Sequence, residues 1–95
     1  GPIVAPPVLT ASPADVTRDL GGSVTFTVSA RGALPLNYQW FHFEEPLANG
    51  VRDGATFSGA TSPSLTISGL TFAQAGDYRV RVTNPDGSAT TEPAR

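Results

Sequence analysis

The sequence predicts an all-β fold, a sandwich of two antiparallel sheets built from about seven or eight short strands. Three observations predict it. Glycine and proline are frequent, with 10 and 9 copies in 95 residues, and they favour short strands joined by tight turns. Several segments alternate apolar and polar side chains, which is typical of strands with one buried face. Turn signals such as the Asn-Pro-Asp-Gly run at residues 84–87 separate these segments.

The first third of the chain predicts two edge pieces and one regular strand. Residues 8–10 form a first edge strand that ends at Ser12-Pro13, and Val16 lies in a second edge piece. Residues 23–30 alternate without a break, so one face of this strand is buried. Its inward residues are Val24, Phe26, Val28 and Ala30.

The middle third predicts a strand followed by an irregular region. Residues 36–43 form the strand, with Leu36, Tyr38 and Trp40 on one face and Asn37, Gln39, Phe41 and Phe43 on the other. Pro46 is expected to break this run, and Asn49-Gly50 is expected to form a hairpin turn. The glycine-rich residues 51–62 are expected to hold short edge pieces and loop.

The last third predicts two further strands with buried faces and a final hairpin. Residues 64–68 point Leu65 and Ile67 inward, and Leu70 continues this apolar line. Residues 71–76 predict one helical turn or a compact bend. Residues 77–83 form a strand whose inward residues are Tyr78, Val80 and Val82. The turn at 84–87 then leads into a final strand over 88–92, which we expect to be short and to leave an open edge.

Together these motifs resemble an immunoglobulin-like domain of the I-set type found in tandem in large secreted or surface proteins of bacteria. The resemblance covers residues 8 to 92 and implies a Greek-key sandwich. Val28, Trp40 and Val80 have the spacing of the family's Cys…Trp…Cys pattern, with valine in place of both cysteines. A fibronectin type III sandwich is the alternative, but the central Trp40 and the position of Tyr78 favour the immunoglobulin type.

The resemblance also implies roles for single residues. Phe26, Val28, Trp40, Leu65, Ile67, Tyr78 and Val80 are expected to form the structural core. Tyr78 is expected to form a tyrosine corner, with its hydroxyl bonded to the backbone near Gln74. The family usually has an acidic residue at this position, which pairs with a basic residue across the sandwich. Because Gln74 is uncharged, we do not expect a buried ion pair there.

Composition excludes several kinds of chemistry. Six arginines stand against eight acidic residues, for a net charge of −2, and no basic run predicts binding to nucleic acid or anionic lipid. The chain has no lysine and no cysteine. Schiff bases, isopeptide crosslinks, disulfides and thiolate metal sites are therefore excluded. No segment approaches the roughly 18 apolar residues of a membrane span.

The sequence gives little evidence for a catalytic or metal-binding site. His42 is the single histidine, so neither a Ser-His-Asp triad nor a zinc site is expected, and we interpret His42 as a partly buried structural residue. Adjacent Glu44 and Glu45 point to opposite faces in an extended chain and do not form a carboxylate pair. The spacing of four aspartates matches no calcium-binding loop, and a calcium site at the end of a loop stays as an alternative. These residues are Asp15, Asp19, Asp53 and Asp86. We expect no enzyme activity, cofactor or metal.

One surface remains as a candidate binding site. Strand parity places Gln39, Phe41, Arg79 and Arg81 on the outer face of one sheet. An exposed aromatic side chain beside arginines is typical of binding hot spots, but ordinary cross-strand packing of arginine stems on a ring produces the same composition. Phe43, Phe57 and Phe72 are either aromatic platforms for a sugar or side chains that cap a loop or the core edge.

These observations predict residues 1–2 as a tag-cleavage remnant, residues 3–7 as a linker and residues 8–95 as a single domain. The expected function is a non-catalytic structural or spacer module of a larger secreted or cell-surface bacterial protein. Its partners would be neighbouring domains. The alternative is an accessory module that binds carbohydrate or protein through the outer sheet face or the loop tips.

Overall fold

The computed structural model describes residues 6–12, 20–91 and 94, which contain ten strands and one 3₁₀ turn. In chain order the elements are β1 (Val8–Ala11), β2 (Ser23–Thr27), β3 (Ser29–Arg31), β4 (Asn37–His42), β5 (Glu45–Pro46), β6 (Gly50–Arg52), β7 (Ala55–Ser58), β8 (Ser64–Ser68), the 3₁₀ turn (Phe72–Gln74), β9 (Tyr78–Asn84) and β10 (Gly87–Thr90).

Two four-stranded sheets form the sandwich. One has the order β2-β8-β7-β6 and the other has the order β10-β9-β4-β5, while β1 and β3 form a separate two-stranded pair. Every pairing is antiparallel. Strands distant in sequence, such as β4 and β9, lie side by side. The predicted all-β sandwich of two antiparallel sheets is confirmed.

The predicted single strand over residues 23–30 is wrong in one respect, because the chain changes partner at Val28. β2 pairs with β8 up to Thr27 opposite Ser64, and β3 then pairs with β1. The amide of Val28 still donates to the carbonyl of Pro63 at 3.0 Å. Proline has no N–H to return a hydrogen bond, so the ladder with β8 stops there and the chain is available to β1.

The region around Asn49-Gly50 also differs from the prediction. Gly50 has a φ of 128°, as expected for glycine, but the chain here crosses from β5 in one sheet to β6 in the other. The Asn49 side-chain oxygen accepts a hydrogen bond from the Ala60 amide at 2.9 Å. The hairpin lies instead at Asp53-Gly54, both with positive φ, between paired β6 and β7.

Of two other expectations about the edges, the one about Pro46 is corrected. Pro46 does not end the strand pairing, because Glu45–Pro46 forms the short edge strand β5 opposite β4, a position that proline tolerates. β10 is short and lies at the edge of its sheet, as expected. Beyond it, Ala94 makes two backbone hydrogen bonds with Tyr78, at 2.7 and 2.8 Å.

The seven expected core residues are all buried between the sheets. They are Phe26, Val28, Trp40, Leu65, Ile67, Tyr78 and Val80. The Phe26 ring stacks on Tyr78 at 5.1 Å between centroids and lies 6.3 Å from Trp40. The Trp40 indole N–H donates to the carbonyl of Ser62 at 2.7 Å, so the polar atom of this fully buried side chain is satisfied.

The chain enters and leaves the sandwich at opposite ends. Val8 pairs with Arg31, close to the end where the Asn84 side chain donates to the carbonyl of Ala33. Ala94 pairs with Tyr78 at the other end. Pro7 is buried, so this part of the predicted linker packs on the domain. Residues 3–5, Asp15, Val16, Asp19 and Glu92 lie outside the described residues.

Candidate functional site

A cluster around Tyr78 closes the end of the sandwich where the chain leaves. The Tyr78 hydroxyl donates to the carbonyl of Gln74 at 2.6 Å, which is the expected tyrosine corner. The His42 ring stacks on Tyr78 with centroids 4.6 Å apart, and its Nε2 donates to the carbonyl of Ala75 at 2.8 Å. Both polar side chains therefore hold the backbone at the end of the 3₁₀ turn in place through hydrogen bonds to its carbonyl groups.

The Gln74 side chain makes a set of hydrogen bonds instead of an ion pair. Its side-chain oxygen accepts from the Thr71 amide at 2.6 Å and from the Thr71 hydroxyl at 2.9 Å. Its Nε2 donates to the carbonyl of Asp53 at 3.3 Å. This capping arrangement satisfies a side chain that is only 5% exposed, and a neutral amide does this without burying a charge.

Burial raises the pKa of Tyr78 to about 12, from its ordinary value of 10.0. The folded chain therefore holds this proton after the unfolded chain has lost it. The free energy of unfolding is expected to fall as the pH rises from about 10 to about 12, by roughly 2–3 kcal/mol. Urea unfolding at stepped pH measures this loss, and the chain has no lysine or cysteine to titrate in the same range.

Tyr78→Phe is the variant that isolates this effect, and Tyr38→Phe is its matched control. The first should remove most of the loss of stability at high pH, whereas the second should retain it. An unchanged pH dependence in Tyr78→Phe would show that the burial of this phenol is not its cause.

The outer face of the β10-β9-β4-β5 sheet brings together the residues predicted for binding. Phe41 lies directly opposite Arg79, and Gln39 lies directly opposite Arg81. The Arg81 guanidinium carbon is 5.2 Å from the centroid of the Phe41 ring, which is a cation–π distance. Phe41 and Arg79 are half-buried and Arg81 is exposed.

Gln39 has a structural role on this face. Its Nε2 donates to the carbonyls of Trp40 and Leu47, both at 2.8 Å. The amide group therefore ties β4 to the chain that leaves β5. These two bonds use both amide N–H groups, so only its Oε1 remains to accept a bond from a ligand.

Strand parity also predicts Thr83 on this face, where it lies opposite Asn37. Two further residues of the face, Thr90 opposite Arg81 and Pro46 opposite Phe41, were not predicted from the sequence. The register of the last hairpin could have identified Thr90. A two-residue turn at Pro85-Asp86 pairs position 84 with 87 and therefore 81 with 90.

The three phenylalanines considered as sugar platforms have different environments. Phe57 is a core residue on β7 and is 4% exposed, so that role is excluded for it. Phe43 is 55% exposed, has a φ of 56° and packs its ring over Gly76. Phe72 is 81% exposed on the 3₁₀ turn. Ala55 and Phe57 are two residues apart on β7 and both face the core. This alternation could have identified Phe57 as a core residue.

Acidic side chains gather around a cleft of about 580 Å³ at one edge of the sandwich, lined by Glu44, Glu45 and Asp53 among others. Arg52 pairs with Glu45 at 2.5 Å and lies 3.8 Å from Asp53. This pairing lowers the pKa of Glu45 and raises that of Arg52. Both side chains are largely exposed, so the contact contributes little to stability.

Among the described residues, no three His, Asp or Glu side chains are grouped to hold a metal ion. Asp53 and Asp86 lie in different hairpins, and Asp15 and Asp19 lie outside the described residues. In the same part of the chain, no helix is long and apolar enough to cross a membrane.

Comparison with known proteins identifies the class. The immunoglobulin domain model matches residues 6–84. The chain therefore belongs to the immunoglobulin domain family, as its fold and its tyrosine corner indicate.

Individual relatives share this fold over most of the chain. The sequence is 35% identical over 83 residues to cartilage intermediate layer protein 2 of Mus musculus, which is 86% of this chain but 6% of that protein. The titin M3 domain superposes with a TM-score of 0.76 at 25% identity, over 95% of this chain and 93% of its own. Extracellular domains 3–5 of Drosophila OTK superpose with a TM-score of 0.79 at 20% identity, over 94% of this chain and 30% of that chain; this likeness shows the fold alone.

Proposed function

We propose that this domain is a non-catalytic spacer module of a larger secreted or cell-surface protein. The observation that carries the proposal is the position of the two chain ends. The chain enters beside Arg31 and leaves beside Tyr78, at opposite ends of a body whose longest dimension is 53 Å. A domain with this path holds the segments before and after it apart.

The comparisons support a modular setting. The chain matches only 6% of the length of its mouse relative, and the similar OTK chain consists of extracellular domains 3–5 of that protein. The I-set type and a bacterial source remain part of the proposal, and they rest on the motifs around Trp40, Tyr78 and the turn at residues 84–87.

The test is made in the parent chain that carries this domain. Deleting the domain is expected to shorten the maximum dimension measured by small-angle X-ray scattering, by up to the 53 Å length of the body. An unrelated folded domain of equal length should restore both the dimension and the activities of the parent chain. A flexible glycine-serine segment of about 20 residues, with an average end-to-end distance of roughly 25 Å, should not restore the dimension.

The spacer role is wrong if deletion abolishes an activity that the unrelated domain of equal length does not restore. In that case the surface of this domain, rather than its length, carries the function.

We propose as a second candidate that the outer face binds a carbohydrate or protein ligand. The cation–π contact between Arg81 and Phe41 on the outer face supports it, because aromatic and arginine side chains are enriched at binding hot spots. The combined substitutions Phe41→Ala and Arg81→Ser should abolish retention on cell-wall polysaccharide or on a partner protein. Leu34→Ala, at an 80% exposed residue in the loop before β4, is the control. Equal retention of all three proteins would exclude this face.

A further inference from the structure

The outer face of the β10-β9-β4-β5 sheet is positively charged in a molecule that is negative overall. Its described strand residues carry two charges, those of Arg79 and Arg81, while the whole chain has a net charge of −2. Neither guanidinium makes an ion pair with a carboxylate of the described residues, where the ion pairs involve Arg52. The charge on this face is therefore available to an acidic partner.

The two arginines have a defined spacing. They are separated by one residue on β9 and point to the same side of the sheet, so their Cα atoms lie about 6.5–7 Å apart. An extended peptide repeats its side chains on one face with the same period. Carboxylates at positions i and i+2 of an extended segment therefore match Arg79 and Arg81 one to one.

The neighbours of the arginines suit such a segment. The Phe41 ring below Arg81 restricts the guanidinium and offers apolar surface. Pro46 continues that apolar surface on β5, and Thr90 places a hydroxyl beside Arg81 on β10. Aromatic and arginine side chains are enriched at protein interfaces, and charge-assisted hydrogen bonds to carboxylates are stronger than neutral ones.

We propose that this face binds an acidic protein segment in extended conformation, with carboxylates at alternate positions. The inference rests on the second candidate function and names its partner. A second copy of this chain does not supply the segment, because no two acidic residues in the sequence are separated by one residue. The partner is therefore a different protein.

The test uses a seven-residue peptide with blocked ends, in which two glutamates separated by one residue stand among valine and threonine. The matched peptide has the same composition with the two glutamates adjacent, so that their side chains point to opposite faces of an extended segment. NMR titration of the domain should show saturable binding of the alternating peptide, with a Kd below about 1 mM. The shifts should centre on Phe41, Arg79 and Arg81. The adjacent peptide should bind at least about fivefold more weakly.

Variants of the domain test whether Arg79 and Arg81 bind the peptide. Arg79→Gln combined with Arg81→Gln should weaken binding of the alternating peptide at least about tenfold, and added salt should weaken binding by the original domain. Arg31→Gln, at an exposed arginine on β3 away from this face, is the matched control and should bind normally. Equal melting temperatures will show that all three proteins are folded.

Three outcomes overturn the inference. Equal binding of both peptides, or equal binding by the double arginine variant, would exclude recognition by these spaced charges. If polygalacturonate binds this face and the alternating peptide does not, the protein partner is wrong, whereas the face remains a ligand-binding surface as the second candidate function requires.

Discussion

Trp40→Ala is expected to bring the domain close to unfolding at room temperature. The side chain is fully buried between the sheets and contacts Phe26, and its indole N–H satisfies the carbonyl of Ser62. Replacing a buried tryptophan by alanine costs about 3–5 kcal/mol. The carbonyl of Ser62 would also lose its indole donor. A domain of this size has a total stability of roughly 5–14 kcal/mol, so the loss is a large part of it.

Urea unfolding measures this effect as a lower midpoint with an unchanged slope. Phe72→Ala is the matched control, because it also removes an aromatic ring, but from a residue that is 81% exposed. It should change the free energy of unfolding by less than about 0.5 kcal/mol. Similar losses in the two variants would mean that Trp40 is not the centre of the core.

The combined substitutions Val28→Cys and Val80→Cys are expected to form a disulfide that stabilises the domain. Val80 lies on β9 of one sheet, and Val28 follows β2 of the other. Both side chains belong to one buried cluster. Closing a loop of about 50 residues restricts the unfolded chain by about 4 kcal/mol in the chain-entropy model. Part of this gain is lost because the valines already pack in the core.

The expected net gain is about 2–4 kcal/mol, which raises the melting temperature by at least about 8 °C. The same variant under reducing conditions is the control, and it should be no more stable than the original chain. Thiols that stay free under oxidising conditions would show that residues 28 and 80 do not face each other across the sandwich.

Strand positions with strict alternation could be predicted from the sequence. β8 was predicted with its observed bounds, and the core residues on β2, β4, β8 and β9 are buried as expected. Local patterns suffice there because each strand has one face toward the core. The tyrosine corner followed from the resemblance, and the hydrogen bond from Tyr78 to Gln74 is present.

The parts that could not be predicted depend on contacts between distant segments. Asn49 and Gly50 have the local chemistry of a hairpin turn, yet the chain there changes sheet, and Asn49 instead binds Ala60. The partner change at Val28 depends on Pro63, which is 35 residues further along the chain. Strand parity did place Gln39, Phe41, Arg79 and Arg81 on one face, but it could not show that the Gln39 amide is bound to backbone.

We propose that this domain keeps its neighbours apart as one cooperative unit, held by packing and hydrogen bonds and not by a covalent crosslink. Single-molecule pulling through the two chain ends tests it most directly. The original chain should stay compact under low load and then open in one step, gaining roughly 270 Å from its 53 Å folded length. The oxidised double-cysteine variant should gain about 180 Å less, because the loop between residues 28 and 80 stays closed. Gradual lengthening of the original chain without a single step would show that the domain is not one cooperative unit and does not act as a spacer under load.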